Sequence, residues 1–188
     1  MQTVATPEAV RRRPLLADVS IALIVGLLAA LAKRHLDFHL GVPGHAGVGW
    51  IAALVAGRLV NDRPGMAALA GALMAVWGIP VGLGHSLGYN LMLYGLAGSL
   101  LDSGLLLRLP LRQAWGATAA GTGVHLAKYG FVFANAWVSD ILKRVEVFGF
   151  LAGLANHVIF GAAGGLLGWL VWRLGWVRLV AHIARRKA

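Results

Sequence analysis

The segment LDFHLGVPGHAGVGW, residues 36 to 50, separates two strongly apolar stretches and carries glycine, proline and histidine. A break of this composition is typical of a connection between two helices. Within it, Val42-Pro43-Gly44 predicts a turn into the second apolar stretch, where Trp50 lies near the start. We therefore interpret Leu36 to Trp50 as a lid over one end of a helical bundle.

The composition of the whole chain indicates a membrane environment. Of its 188 residues, 59% are hydrophobic and 13% are charged, and the mean hydropathy is +0.73. A soluble domain of this size cannot bury so much apolar surface. The net charge of +10 comes from basic residues at segment ends, where they set topology and attract anionic lipid rather than nucleic acid. The absence of cysteine excludes disulfides and thiolate chemistry.

Six apolar segments follow one another along the chain, each bounded by charge, proline or glycine. Most are near the roughly 20 residues that a helix needs to cross a bilayer. The segments are Leu15 to Ala32, Ala46 to Val60, Gly65 to Leu83, Ser86 to Leu107, Arg112 to Ala134 and Val147 to Trp172. We predict an all-α integral membrane protein with six transmembrane helices, in which residues 15–174 form one membrane domain between two tails, 1–14 and 175–188.

The distribution of lysine and arginine predicts the orientation in the membrane. With a cytoplasmic N-terminus, twelve basic residues fall inside and five fall outside, namely Lys33, Arg34, Lys128, Lys143 and Arg144. Cytoplasmic loops carry the excess of basic residues, so this split predicts that both termini are cytoplasmic. We expect a multi-pass protein of the cell membrane whose lid segment faces outward.

Polar residues of the apolar segments are concentrated toward the outer side. Six of the seven histidines fall in the outer third of the membrane or above it, and His125 and Lys128 share a helical face. Ionisable residues inside a membrane are costly unless they meet a partner or water, which makes them functional candidates. The predicted substrate pocket comprises His45, Trp50, His85, Tyr89, Asn90, His125, Lys128, Asn156 and His157.

Two interpretations of these residues remain open. Interhelical hydrogen bonds, an aromatic belt and snorkelling of Lys128 explain each residue separately, whereas a pocket explains the cluster as a whole. In a pocket, Lys128 and the histidines favour a ligand with a carboxylate, a phosphate or another acceptor group. The aromatic residues favour a flat ring.

The lid segment also contains side chains that can bind metal. The candidates are His35, Asp37, His39 and His45, which suit a borderline metal such as zinc, nickel or cobalt. Their spacing matches no defined metal site, and Lys33 and Arg34 adjoin them, so a solvated loop is the simpler interpretation. We therefore keep a metal site as a secondary alternative.

Two further chemistries use the outer polar residues. The stretch Gly84-His85-Ser86-Leu87-Gly88 matches G-x-S-x-G, but a nucleophile elbow needs a strand-to-helix turn in a sheet. Ser86 at the start of the fourth segment and His157 in the sixth resemble the rhomboid intramembrane serine proteases, and this resemblance implies a Ser–His dyad. The second segment lacks that family's oxyanion-stabilising His and Asn. A b-type haem held by two of His85, His125 and His157 is a further alternative.

Small residues at four-residue spacing form ridges on two segments. The ridges are Ala22, Gly26 and Ala30 in the first segment and Ala67, Gly71 and Ala75 in the third. Such ridges usually pack within one chain, and they also let separate membrane proteins associate. Both possibilities remain open at the level of the sequence.

The six short helices, the first ridge, the lid and the junction from Gly57-Arg58 to Arg63-Pro64-Gly65 together resemble the substrate-binding S component of energy-coupling factor (ECF) transporters. The vitamin-binding members are the most similar, and the resemblance covers most of Ala17 to Trp172. It implies capture of a vitamin, a vitamin precursor or a similar micronutrient under a gate formed by the first loop. It also implies partners, namely a transmembrane coupling subunit that contacts the first ridge and two ATPase subunits.

The chain itself contains no G-x-x-x-x-G-K-[ST] phosphate loop. Under the ECF resemblance, ATP is therefore used by the partner subunits. We expect the chain to be a binding subunit rather than an enzyme and to carry no cofactor of its own.

Overall fold

The computed structural model describes residues 15–36, 44–103, 108–138 and 147–187. Over these residues the backbone is helical and contains no strand, which confirms the all-α prediction. Six helices coincide with the six predicted segments. They are α1 (Leu15–His35), α2 (Gly47–Val60), α3 (Met66–Val81), α4 (three consecutive sections given below), α5 (Ala114–Val138) and α6 (Val147–Lys187). Helix α6 continues past the tail boundary predicted at residue 175, and the predicted N-terminal tail lies outside the described residues.

Helix α4 changes its hydrogen-bonding pattern along its length. Its sections are an α-helical turn Leu87–Asn90, a π-helical turn Leu91–Gly95 and an α-helical section Leu96–Asp102. The helix starts at Ser86, whose Oγ accepts a hydrogen bond of 3.3 Å from the backbone N–H of Tyr89, the usual N-cap arrangement. π-Helical turns occur frequently at functional sites, and this one contains the buried Tyr94.

Neighbouring helices approach one another closely through glycines. The most extensive contacts join α5 to α6, α2 to α6 and α1 to α3. At the α5–α6 crossing, a methyl group on Gly121 would overlap Gly161 O and lie 2.7 Å from Gly165 Cα. Only glycine permits this approach, which is typical of closely packed membrane helices.

The ridge of α1 packs inside the molecule. Ala22 and Ala30 are buried, and a methyl group on Gly26 would lie 2.8 Å from Leu73 Cβ and 2.9 Å from Ala70 O. Helix α3 therefore covers the surface that the ECF resemblance assigns to contact with a coupling subunit. Small residues at this spacing fit a helix of the same chain as well as a partner subunit, and in this structure the ridge packs against α3.

Two of the described helical stretches are long and apolar enough to cross a membrane. They are Leu15–His35, with a mean hydropathy of 2.5, and Gly149–Gly175 within α6, with a mean hydropathy of 1.6. In each, only 28% of the most apolar window is buried inside the molecule, whereas the core helix of a soluble protein is mostly covered. Helices α2 and α3 are apolar but shorter.

Candidate functional site

Two buried histidines lie in contact where α5 meets α6. The rings of His125 and His157 are 0% and 7% exposed, with centroids 4.4 Å apart and planes inclined at 45°. His125 Nδ1 lies 3.1 Å from His157 O, and His157 Nδ1 lies 2.7 Å from Gly153 O. The close α5–α6 approach permits this pairing, because a methyl group on Gly161 would lie 2.8 Å from His125 Cβ.

Aromatic and cationic side chains surround the pair. The ring of Trp50 lies 6.2 Å from that of His125, and Lys128 Nζ lies 5.7 Å from the centroid of the Trp50 ring. On the other side, Tyr129 is 4.4 Å from the His157 ring and donates a hydrogen bond of 3.0 Å to Phe150 O. We name His125, His157, Trp50, Lys128 and Tyr129 the histidine cluster.

The residues that lead into α2 cover the histidine cluster. A methyl group on Gly44 would lie 3.2 Å from His157 Nδ1 and 3.4 Å from His125 Cε1. A methyl group on Gly47 would overlap His125 Nε2 and Cε1, and His45 packs edge-on against Phe160 at 6.3 Å. We name Gly44 to Gly47 the cover. Its glycines let the backbone lie directly on the imidazoles.

Three further predicted residues form a second group on and before α4. The rings of His85 and Tyr89 are 4.8 Å apart, and Asn90 Nδ2 donates a hydrogen bond of 3.3 Å to His85 O. His85 is exposed, whereas Asn90 is buried. Tyr94 connects this group to the histidine cluster through a ring contact of 5.4 Å with Trp50.

Asn156, the last predicted pocket residue, is partly buried beside His157 on α6. The sequence interpretation overlooked Tyr129, which carries two contacts of the cluster. Its spacing of four residues from His125 places both on one helical face and was the available signal. Gly44 and Gly47 were also overlooked as contacts, since a glycine has no side chain that a motif could reveal.

The structure does not assemble the alternative chemistries from the residues it describes. Ser86 Oγ caps α4 and His157 Nδ1 bonds to Gly153 O, and no hydrogen bond joins Ser86 to His157 among the described residues. The contact of 4.4 Å between His125 and His157 is too short for a bis-imidazole haem, in which ring centres are about 6 Å apart because each nitrogen lies ~2 Å from the iron.

The described residues also contain no group of three His, Cys, Asp or Glu side chains placed to hold a metal ion. Two of the four metal candidates, Asp37 and His39, lie outside the described residues. Of the other two, His35 is exposed at the end of α1 and His45 contacts Phe160.

A separate polar group lies at the opposite end of the bundle. We name Asp18, Arg58, Asn61, Arg63 and Asp102 the ionic cluster. Arg63 Nε is 3.0 Å from Asp18 Oδ2, and Arg58 Nε is 3.2 Å from Asp102 Oδ1, the latter as an ion pair not aligned for a hydrogen bond. The start of α1, the end of α2 and the end of α4 therefore meet here beside the start of α3.

Backbone groups complete the ionic cluster. Asn61 Nδ2 donates to Asp18 O at 3.0 Å, and Arg58 Nη1 donates to Asn61 O at 3.0 Å. Asp102 Oδ2 accepts a hydrogen bond of 2.8 Å from Ala68 N. The sequence interpretation used the two arginines as topology signals and as part of the junction in the ECF resemblance, and not as partners of acidic residues. An acidic residue inside each of two apolar segments was the signal for their partners.

No protein-family model matches the chain, and neither the curated proteins nor the solved structures compared with it give a match. The functional interpretation therefore depends on the geometry of the two polar clusters.

Proposed function

We propose that the chain is a six-span membrane protein with cytoplasmic termini that captures a small molecule at the histidine cluster, as an ECF-type S component does. The observation that carries this proposal is the buried His125–His157 pair, with Trp50 and Lys128 beside it and a glycine-rich cover above it. A vitamin, a vitamin precursor or a similar micronutrient is the expected substrate.

The surface of the bundle supports a membrane location for more than two helices. Large apolar side chains are exposed along five of the helices and, on the buried α2, at its last residue Val60, which suits lipid contact and does not suit water. Examples, in chain order, are Leu16, Ile24, Leu28, Val60, Val76, Ile79, Met92, Trp115, Leu151, Ile159 and Leu174. The short α2 and α3 are then spans that a locally thinned bilayer accommodates.

The chemistry of the histidine cluster supports capture of a flat polar molecule. Trp50, Tyr94 and Tyr129 offer aromatic faces, and Lys128 supplies a positive charge, which together suit a ring with an acidic or acceptor group. The rings of His125 and His157 touch and the cover lies on them. Capture therefore requires the cover to move away and close again over the substrate.

Under this proposal, transport energy comes from partner subunits, since the chain has no phosphate loop. The partners are a coupling subunit and two ATPases that use ATP. The α1 ridge is covered by α3, so the coupling subunit contacts a different, exposed surface. Co-purification of the tagged chain from its native membrane tests this, and a chain that transports substrate without partners would contradict it.

The decisive experiment is mass spectrometry of small molecules extracted from the gently purified protein. We expect the wild type to retain one compound in stoichiometric amount and Lys128→Ala to retain at least tenfold less, because the cation beside Trp50 is lost. Arg34→Ala is the matched control, since it removes an exposed cation at the end of α1. A wild type that retains nothing contradicts capture, and equal retention by the two variants contradicts the pocket.

Membrane topology has its own test, because the chain contains no cysteine. Single cysteines at Arg34 and Gly84 should react in intact cells with a maleimide that cannot cross membranes. Cysteines at Asp62 and Arg108 should react only after permeabilisation. Labelling of all four positions in intact cells, or the reverse pattern, would contradict the proposed topology.

A further inference from the structure

The hydrogen bonds of the two buried histidines determine which ring nitrogen carries the proton. A backbone carbonyl only accepts hydrogen bonds, so Nδ1 of His125 donates to His157 O and Nδ1 of His157 donates to Gly153 O. In a neutral imidazole with a proton on Nδ1, Nε2 is a lone-pair acceptor. Both rings are thereby set in the same tautomer by backbone groups.

The surroundings favour neutral rings. The pair is buried, and burying an unpaired charge is costly. The acidic residues that the structure describes are Asp18, Asp62 and Asp102, all at or near the ionic cluster at the opposite end. Among the described residues, the Lys128 cation faces Trp50 beside His125 and makes a second positive charge there unfavourable.

His125 Nε2 is therefore a buried acceptor, and within the described part of the chain it has no hydrogen-bond partner. The same holds for the acceptor Asn90 Oδ1 and for the donor Trp50 Nε1. The Trp50 ring contacts the rings of His125 and Tyr94, and Tyr94 lies four residues after Asn90 on α4. Buried polar atoms normally find partners, so an unpartnered acceptor on His125 in contact with Trp50, whose indole N–H is also unpartnered, indicates that a polar group binds here.

We propose that the substrate is the hydrogen-bond donor at this site and that one of its N–H or O–H groups donates to His125 Nε2. Asn90 Oδ1 is a second acceptor on the α4 side of Trp50, and Lys128 faces an anionic or acceptor group. This inference rests on the proposed capture function and specifies the substrate as a flat molecule with at least one N–H or O–H group. It reverses the sequence-based expectation that the histidines donate hydrogen bonds.

The first test determines the tautomers by NMR of the full chain labelled with 15N-histidine. His125→Asn and His157→Asn assign the signals. We expect both histidines to be protonated at Nδ1 and unprotonated at Nε2. A proton on Nε2 of His125, either in the other tautomer or in an imidazolium, overturns the inference because that nitrogen then cannot accept.

The second test uses two probes of similar shape, pyrazole and 1-methylpyrazole, of which only the first carries an N–H group. We expect pyrazole to shift the His125 Nε2 signal and 1-methylpyrazole at the same concentration to leave it unchanged. A response to both probes, or to neither, overturns the inference. His125→Gln, which returns a polar atom near the Nε2 position, should bind pyrazole better than His125→Asn does.

The third test separates this inference from the capture function. If the wild type retains a compound, that compound should carry an N–H or O–H group, and His125→Asn should retain at least tenfold less of it. A retained compound without such a group, or undiminished retention by His125→Asn, overturns the donor inference and leaves capture standing. If the wild type retains no compound and responds to neither probe, both proposals fail together.

Discussion

The two ends of the bundle hold buried polar groups in opposite ways. In the ionic cluster, Asp18 and Asp102 each form an ion pair with an arginine. Backbone groups form hydrogen bonds with the Asn61 amide and with the other carboxylate oxygen of Asp102. In the histidine cluster, the two Nδ1 atoms are bonded to backbone carbonyls, but His125 Nε2 and Trp50 Nε1 have no partner within the described residues. The charges of one end are paired within the chain, whereas the other end leaves a buried acceptor and a buried donor without a partner among the described residues.

This difference has a thermodynamic meaning. A buried polar atom without a partner costs about 1–3 kcal/mol. The histidine cluster therefore lowers the free energy of unfolding of the protein without substrate, and a substrate that pairs these atoms would restore it. The ionic cluster instead joins the ends of four helices. We therefore expect substitutions at the ionic cluster to change stability first and substitutions at the histidine cluster to change binding first.

The largest expected effect comes from opening the ionic cluster. Asp102→Ala removes the partner of the buried Arg58 and the acceptor of Ala68 N. Loss of one member of a buried ion pair costs about 3–5 kcal/mol, because the remaining charge stays buried. Unfolding of the purified protein in detergent by increasing SDS measures this loss.

The matched control for Asp102→Ala is Asp62→Ala, because Asp62 is exposed in the connection between α2 and α3. Its effect should be within ~0.5 kcal/mol. A double variant, Arg58→Met with Asp102→Leu, removes both charges and should regain most of the stability. If the two aspartate variants unfold alike, the ion pair does not hold α2 to α4.

A smaller effect is expected where α5 crosses α6. In Gly121→Ala the new methyl group would overlap Gly161 O, so α6 must move away, at a cost of about 1–3 kcal/mol. The same movement separates His125 from His157 and should lower substrate retention. Gly130→Ala is the control on the same helix, since nothing lies within 4 Å of its added methyl group. Equal stability of the two variants would contradict the close crossing.

The sequence predicted the six helices well, because long apolar segments bounded by charge, proline and glycine leave few alternatives. It also placed His125, His157, Trp50 and Lys128 in one pocket, and the structure brings these four together. Their proximity has a physical reason, since polar residues at a similar depth on adjacent helices of a bundle tend to face one another.

The sequence could not predict which helix covers a given face. The ridge of Ala22, Gly26 and Ala30 fits α3 or a partner subunit equally well. In the folded chain it packs against α3, and this depends on the arrangement of all the helices. The pairing of Asp18 with Arg63 likewise depends on where helix ends meet, which residue spacing does not encode. The tautomers of the histidines follow from carbonyl positions and are invisible in any motif.

Two glycines with positive φ, one at each end of the bundle, allow the effects of substitution on stability and on binding to be compared. Gly44 in the cover has φ +92°, and Gly65 near the ionic cluster has φ +85°. Alanine strains the backbone at either position, so each variant should lose about 1 kcal/mol of stability. Only the methyl group on Gly44 approaches His157, whereas nothing lies within 4 Å of the one on Gly65.

Substrate retention should therefore separate the two glycine variants. Gly44→Ala should retain roughly tenfold less compound, equivalent to about 1.4 kcal/mol of binding free energy, and Gly65→Ala should retain as much as the wild type. Mass spectrometry of the extracted compound measures both. Equal retention by the two variants would mean that the cover does not act on the histidine pair.

The smallest expected effect tests whether the satisfied hydrogen bonds of the histidine cluster are structural. Tyr129→Phe removes the hydrogen bond of 3.0 Å to Phe150 O but keeps the ring against His157. We expect a loss of about 0.5–1 kcal/mol in detergent unfolding with retention unchanged. Tyr89→Phe is the control, because the Tyr89 hydroxyl has no hydrogen bond to the described residues and its removal should leave stability unaltered. If instead Tyr129→Phe lowers retention at constant stability, the hydroxyl contacts the substrate, and the pocket extends past His157 toward the start of α6.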